Sequence, residues 1–264
     1  MRITGDGRGV ARYVGVTMLE TGAWEAGEIV LTGHAVLGPH VATESSAIST
    51  GALLTMCDNV AGFCGGLAAL PDGWVQTVNL MVRRTRLDVA GPLDFVASVL
   101  RKGRRAIVTD VRVNDAAGLV AIGTLTSAVL MPEGGPPLWD RPARLDTRFE
   151  SDGPLPPFGE WLGIEREGDR VTLSVRDDMR NPWGIVHGGV TASLIDAAAE
   201  HVVPGTRGVL DATVHYVAPS KVGPLVATGE VIARRAGDVL VRVEVRDTGT
   251  DRTTALAVAA VESV

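Results

Sequence analysis

Apolar and polar residues alternate in several runs of this chain, most plainly in Val239-Leu-Val-Arg-Val-Glu-Val245. A period of two places alternate side chains on opposite faces of a strand, so one face is covered and the other meets polar surroundings. Similar β-rich runs occupy 94–100, 106–113 and 119–130, then 226–233, 239–245 and 253–261. Earlier strands are expected over Gly27 to Ala35 and Arg170 to Arg176. Two Gly/Ala-rich apolar runs follow a different pattern and read as helices, one holding Cys57 and Cys64 and one beginning at Gly188-Gly189.

The order of these elements repeats. Ile185-Val-His-Gly-Gly-Val-Thr-Ala-Ser-Leu-Ile-Asp196 lies over Ala47-Ile-Ser-Thr-Gly-Ala-Leu-Leu-Thr-Met-Cys-Asp58, with an offset of 138 positions. Leu210 to Leu225 lies over Val78 to Leu93 with an offset of 132, and each stretch ends in Gly-Pro-Leu. Each copy supplies a strand, a glycine-led helix and a run of antiparallel strands, an α+β unit in which a sheet wraps a central helix. The expected division is 1–131, a Pro/Gly-rich extended linker at 132–157, and 158–264.

Composition narrows the function classes. Aromatics make up 4% of a chain that is 45% hydrophobic, so the core is built of small aliphatic side chains. The net charge is −6; through Met131 basic and acidic residues balance at 11 each, so the excess acid lies beyond it. Neither half carries a basic nucleic-acid footprint. Cys57 and Cys64 are seven residues apart on one helix, about 10 Å along its axis, too far for a disulfide. They read as packing residues in a reducing compartment, and no His/Cys spacing suggests a metal. Arg2, Asp6, Arg8 and Arg12 precede any apolar run, and Leu119 to Met131 is shorter than a membrane span. A cytoplasmic protein without membrane attachment is expected.

The chemistry concentrates at Asn181-Pro-Trp-Gly-Ile-Val-His187-Gly188-Gly189. Glycines let backbone amides approach a ligand, and a helix start leaves N–H donors suited to an oxyanion. Asp196, seven residues after Gly189, shares its helix stripe with Gly189, Ala192 and Ala199. Burial there would raise its pKa.

This Asn-x5-His-Gly-Gly-x6-Asp pattern resembles the small hotdog acyl-CoA thioesterases of the phenylacetate-pathway type. The resemblance implies two tandem hotdog domains. It also implies thioester hydrolysis in which Asp196 attacks the carbonyl or activates water, the Gly188 and Gly189 amides hold the thioester oxygen, and Asn181 and His187 position it. Thr77, the hydroxyl residue of the strand after the first helix, would orient water, with Asn79 and Asp58 as substrate-binding groups. Arg104 and Arg105, with Arg234 and Arg235 in the second copy, would bind the phosphates of coenzyme A, which enters as part of the substrate; no other cofactor or metal is implied. A mean hydropathy of +0.20 suggests a homo-oligomer, a dimer of double hotdogs.

The copies depart from one another. Ser49-Thr50-Gly51 stands where the second copy has His187-Gly188-Gly189, Thr43 stands for Asn181, and Val209 replaces Thr77. One competent site per chain is expected, with the His-Gly-Gly turn facing the Thr77 strand. Met56, Phe63, Leu80 and Trp183 are candidates for the acyl tunnel. Two other readings stay open: a hotdog hydratase or dehydratase, for which Asp196 and His201 form a superficial pair, and a non-catalytic acyl-CoA binding module.

Overall fold

The computed structural model describes residues 9–22, 28–44, 46–146 and 153–263. Arg2, Asp6, Arg8, Gly27 and 147–152 of the expected linker lie outside the described residues.

Each half is a long helix held against antiparallel strands. In the first half, α1 (Val10–Tyr13), β1 (Thr17–Glu20) and β2 (Val30–Ala35) precede the 20-residue α2 (Thr50–Ala69). Then come β3 (Trp74–Arg84), β4 (Leu93–Lys102), β5 (Ala106–Asp115) and β6 (Gly118–Leu130). After β7 (Arg144–Leu145), the second half runs α3 (Phe158–Leu162), β8 (Ile164–Glu167), β9 (Arg170–Leu173) and α4 (Gly188–His201). It closes with β10 (Thr206–Tyr216), β11 (Leu225–Arg235), β12 (Asp238–Asp247) and β13 (Arg252–Ser263).

The thirteen strands among the described residues join one sheet in the order β7-β1-β2-β4-β5-β6-β3-β10-β13-β12-β11-β9-β8. The alternation in β12 has the anticipated meaning: Val239, Val241, Val243 and Val245 are all buried. The seam is the antiparallel pair β3–β10, where Met81 faces Thr213, Arg83 faces Asp211 and Asn79 faces His215. Exchanging each residue for the one 132 positions away maps this register onto itself, so a local two-fold axis passes through the Met81–Thr213 pair.

Helix α2 is apolar on every side because β2 to β6 wrap one side and α4 covers another. It is long and apolar enough to cross a membrane by composition, although 94% of its 18-residue window is buried inside the protein. The run Leu119 to Met131, too short to span a membrane, forms β6 through Leu130. Cys57 and Cys64 are free and buried, and burial pushes both thiols up, as befits packing residues.

The segment expected to be an extended linker does more than span. Within it, β7 pairs with β1, Glu20 accepts from the Ala143 amide and from Arg141, and Trp139 meets Phe63 edge to face at 4.8 Å. Tyr13 of α1 stacks on Trp161 of α3 at 4.2 Å, tying the start of the chain to the second half. The strand expected over Arg170 to Arg176 ends at Leu173, where the chain turns toward a short 3-10 turn at Asp177–Met179.

Candidate active site

The two central helices cross with their N-terminal ends side by side and running in opposite directions. A Cβ on Gly189 would come within 2.6 Å of Thr55, and one on Gly51 within 3.1 Å of Ser193. Glycine at both positions is therefore what lets the backbones approach. Between them, Thr55 Oγ1 donates to Gly51 O at 2.8 Å and contacts Gly189 O at 3.1 Å, while Ser193 Oγ reaches the same two oxygens at 3.1 and 2.8 Å.

This crossing decides which carboxylate meets which helix mouth, and it corrects the sequence reading. Asp196 was expected behind the His187-Gly188-Gly189 turn. Seven residues along one helix is about 10 Å of rise, so Asp196 is carried away from the mouth of its own helix. Its Oδ2 instead accepts from the Gly51 amide of α2 at 2.7 Å. The carboxylate at the His-Gly-Gly turn is Asp58, from α2. A Cβ on Gly188 would lie 2.8 Å from Asp58 Oδ2, so only glycine admits the carboxylate there.

Around Asp58 the groups are well defined. Thr77 Oγ1 donates to Asp58 Oδ1 at 2.8 Å. His187 caps α4: its Nδ1 accepts from the Gly189 amide at 3.0 Å. Burial pushes the His187 pKa down, although Asp58 opposes the shift. The ring is thus neutral with its proton on Nε2, and the 3.4 Å approach of Nδ1 to Asp58 Oδ2 is a contact between two acceptors rather than an ion pair. Tyr216 donates to Gly188 O at 2.9 Å; burial, with Asp58 nearby, pushes its phenol well above the ordinary range.

With the Gly189 amide committed to the cap, the donor left at the mouth is Gly188 N–H, which bonds to no described residue. The Asn181 carboxamide oxygen is also committed: Oδ1 accepts from the Trp183 amide at 2.9 Å and from the Ile185 amide at 3.4 Å, fixing the turn ahead of α4. Trp183 in turn donates from Nε1 to Val75 O at 2.9 Å, pinning that turn to β3.

Asp58, Thr77, Asn181, His187 and Gly188 all line one cavity of about 550 Å³. Its lining includes the apolar Phe63, Trp74, Met18 and Leu145 and the polar Asp177, Asp178, Arg180 and Ser220. Of the tunnel candidates, Phe63 and Trp183 line it, whereas Met56 and Leu80 are fully buried core residues away from the cavity.

The related mouth, at Ser49-Thr50-Gly51, is filled. The Arg84 guanidinium, at the position related to Tyr216, donates to Thr50 Oγ1 at 2.9 Å, Leu87 O at 2.9 Å and Ile48 O at 3.3 Å. Burial lowers its pKa to about 10. Asp196 Oδ1 is buried without a partner, and burial pushes its carboxyl well above the usual range. No hydroxyl answers Thr77 there, because the place belongs to Val209. Sequence reasoning missed Arg84 and Tyr216, whose signal was the 132-position offset itself.

The remaining expected residues lie elsewhere. Asn79 donates across the seam to Val214 O at 3.2 Å and pairs with His215 at 3.0 Å, so it does not line the cavity. Arg235 is paired with Asp238, and neither it nor Arg234 lines the cavity. Arg104 and Arg105, with Arg101, surround a separate depression of about 460 Å³ at the β4–β5 hairpin, and no described residue forms a salt bridge with them. His201 bonds to Gly168 O at 2.9 Å, so the supposed Asp196–His201 pair is not built. No cluster of His, Cys, Asp and Glu among the described residues could hold a metal.

Solved structures of similar architecture span nearly the whole chain. A conserved protein of unknown function with a hot dog fold from Alicyclobacillus acidocaldarius superposes with a TM-score of 0.56 at 13% identity, covering 88% of this chain and 92% of that one. This is a hotdog fold. The other likenesses are of the same order. An acyl-ACP thioesterase from Bacteroides thetaiotaomicron gives 0.58 at 15% identity, covering 88% and 98%. The 12:0-ACP thioesterase from Umbellularia californica gives 0.61 at 12%, covering 88% and 94%. Residues 176–261 match the family model of the acyl-CoA thioesterase N-terminal domain. Among curated protein sequences none matches the chain. The matched stretch contains the His-Gly-Gly turn and α4 but not Asp58 or Thr77, which the other half of the chain contributes.

Proposed function

We propose that the chain hydrolyses an acyl-CoA thioester at a single composite site, with Asp58 as the base. What carries the reading is the meeting of three groups in one cavity: the Asp58 carboxylate, the Thr77 hydroxyl bonded to it, and the unbonded Gly188 amide. The thioester oxygen rests on Gly188 N–H, aided by the positive end of α4. Thr77 holds Oδ1, leaving Oδ2 to accept a proton from water as that water attacks the carbonyl carbon. The tetrahedral intermediate then expels the thiolate, which takes the proton back from Asp58 and so restores the base, and leaves the free acid. The neutral His187 fixes the turn through its Nδ1, and its Nε2–H is a second donor at the mouth.

The unpaired cations of the β4–β5 hairpin support coenzyme A as the carrier. Ala106 pairs with Ala128 and Ala128 with Gln76, so the hairpin lies two strands, about 10 Å, from the cavity wall. Guanidinium groups suit phosphate oxygens in geometry and charge.

The deciding experiment is a panel of acyl-CoAs followed by thiol release. Asp58→Asn should lower kcat by about 10²–10⁴, the usual worth of a general base, while Asp196→Asn retains turnover. Full loss from Asp196→Asn with activity surviving in Asp58→Asn would overturn the assignment.

A further inference from the structure

Asn59 follows Asp58 on α2 and lines the same cavity. The residue is 8% exposed, its Nδ2 is sealed from solvent, and its carboxamide bonds to no described residue. Burying an amide without partners is unfavourable, and nearly all buried amides in folded proteins are satisfied. The hydrolytic step proposed above makes no use of it.

The space beside it indicates what it meets. Residues 59, 62 and 63 share a helix face by their spacing of three and four. A Cβ built on Gly62 would meet nothing within 4 Å, so open cavity lies over that turn of α2. Beyond it stand Phe63 and Trp74, whose rings meet edge to face at 6.2 Å. An acyl chain whose carbonyl lies at Asp58 therefore runs over Gly62 toward these rings, and passes Asn59 within a few bonds of the carbonyl.

We infer that Asn59 is a specificity-determining residue that recognises a hydroxyl group on the acyl chain, close to the thioester. With Nδ2 sealed, the end of the carboxamide left for a ligand is Oδ1, an acceptor; a hydroxyl donates to it, whereas a ketone has no proton to give. A hydrocarbon chain at the same place would leave Oδ1 unpaired, and sites built to hydrogen-bond a substrate group discriminate strongly against analogues lacking it.

This inference rests on the thioester reading, and its test is kept separate from turnover. Binding of non-hydrolysable CoA thioethers is measured by calorimetry, using hydroxyacyl, ketoacyl and unsubstituted chains of equal length. The wild type should bind the hydroxyacyl thioether about tenfold tighter than the unsubstituted one, the worth of one net hydrogen bond. Asn59→Leu should lose that preference while still binding the unsubstituted chain, and Asn59→Ala, with its melting temperature recorded, guards against misfolding of the leucine variant. Equal affinities in the wild type, a preference for the ketone, or a hydroxyl preference that survives in both variants would overturn the inference. A hydroxyl preference in binding with no thiol released from any acyl-CoA would instead overturn the hydrolase reading and leave the role of Asn59 standing.

Discussion

Asp58 and Asp196 occupy matching places in the repeat and have opposite surroundings. One faces a roomy cavity and a threonine hydroxyl; the other is shut in beside Arg84 with one oxygen unpartnered. The Thr77–Asp58 bond joins a neutral donor to a carboxylate, an interaction worth about 1.5–3 kcal/mol. Thr77→Val should accordingly lower kcat by about ten- to a hundredfold with a smaller effect on KM, since the bond orients the base rather than the bound substrate. Steady-state kinetics on matched acyl-CoAs would show it, and an unchanged kcat would remove Thr77 from the mechanism. At this scale the sequence was informative about residue types: His187, Gly188 and Thr77 were all singled out and all line the cavity. It misled on Asp196, because a one-dimensional motif assigns a carboxylate to the glycines preceding it on the same helix. The antiparallel crossing assigns it to the glycine of the other helix.

The elements explain how that exchange is enforced. Gly51 and Gly189 allow the helices to touch, and the Thr55 and Ser193 hydroxyls bridge their buried carbonyls where they do. Gly189→Ala would place a methyl 2.6 Å from Thr55 and force the helices apart. Overpacking of this kind costs about 1–3 kcal/mol, so the midpoint of urea unfolding should fall, with activity impaired because Asp58 retreats from Gly188. The strands were legible from their alternation, and the Gly-Pro-Leu repeat gave the offset that the β3–β10 register obeys. The short elements β1, β7, β8 and α3 were not, since runs of two to five residues carry too little periodicity to separate strand from loop. The β4–β5 hairpin makes its own prediction. Replacing Arg104 and Arg105 together by alanine should raise KM for acyl-CoA severalfold and leave acyl-pantetheine, which lacks the nucleotide, unaffected.

For the whole molecule, the closed mouth becomes a matter of stability. Burial and the neighbouring Glu200 hold the Asp196 carboxyl well above its ordinary value of 3.8. Below that value both folded and unfolded chains carry the proton, and its contribution is intact. As pH rises the unfolded chain releases the proton first, so the contribution is lost progressively up to the raised folded pKa. Asp196→Asn removes this slope, and its melting temperature should gain on that of the wild type between pH 4 and pH 7. A constant difference across that range would mean the buried carboxyl titrates normally.

The two-fold seam through Met81 and Thr213 has one more consequence. In an assembly of identical subunits, any change to a helix mouth would strike every centre at once. Joining the copies in a single polypeptide frees the halves from that bond of identity: changes at residues 58 and 188 fall on one mouth, though 130 positions separate them, while changes at 58 and 196 fall on two. The chain can therefore let one mouth close around an arginine and keep the other open to a cavity.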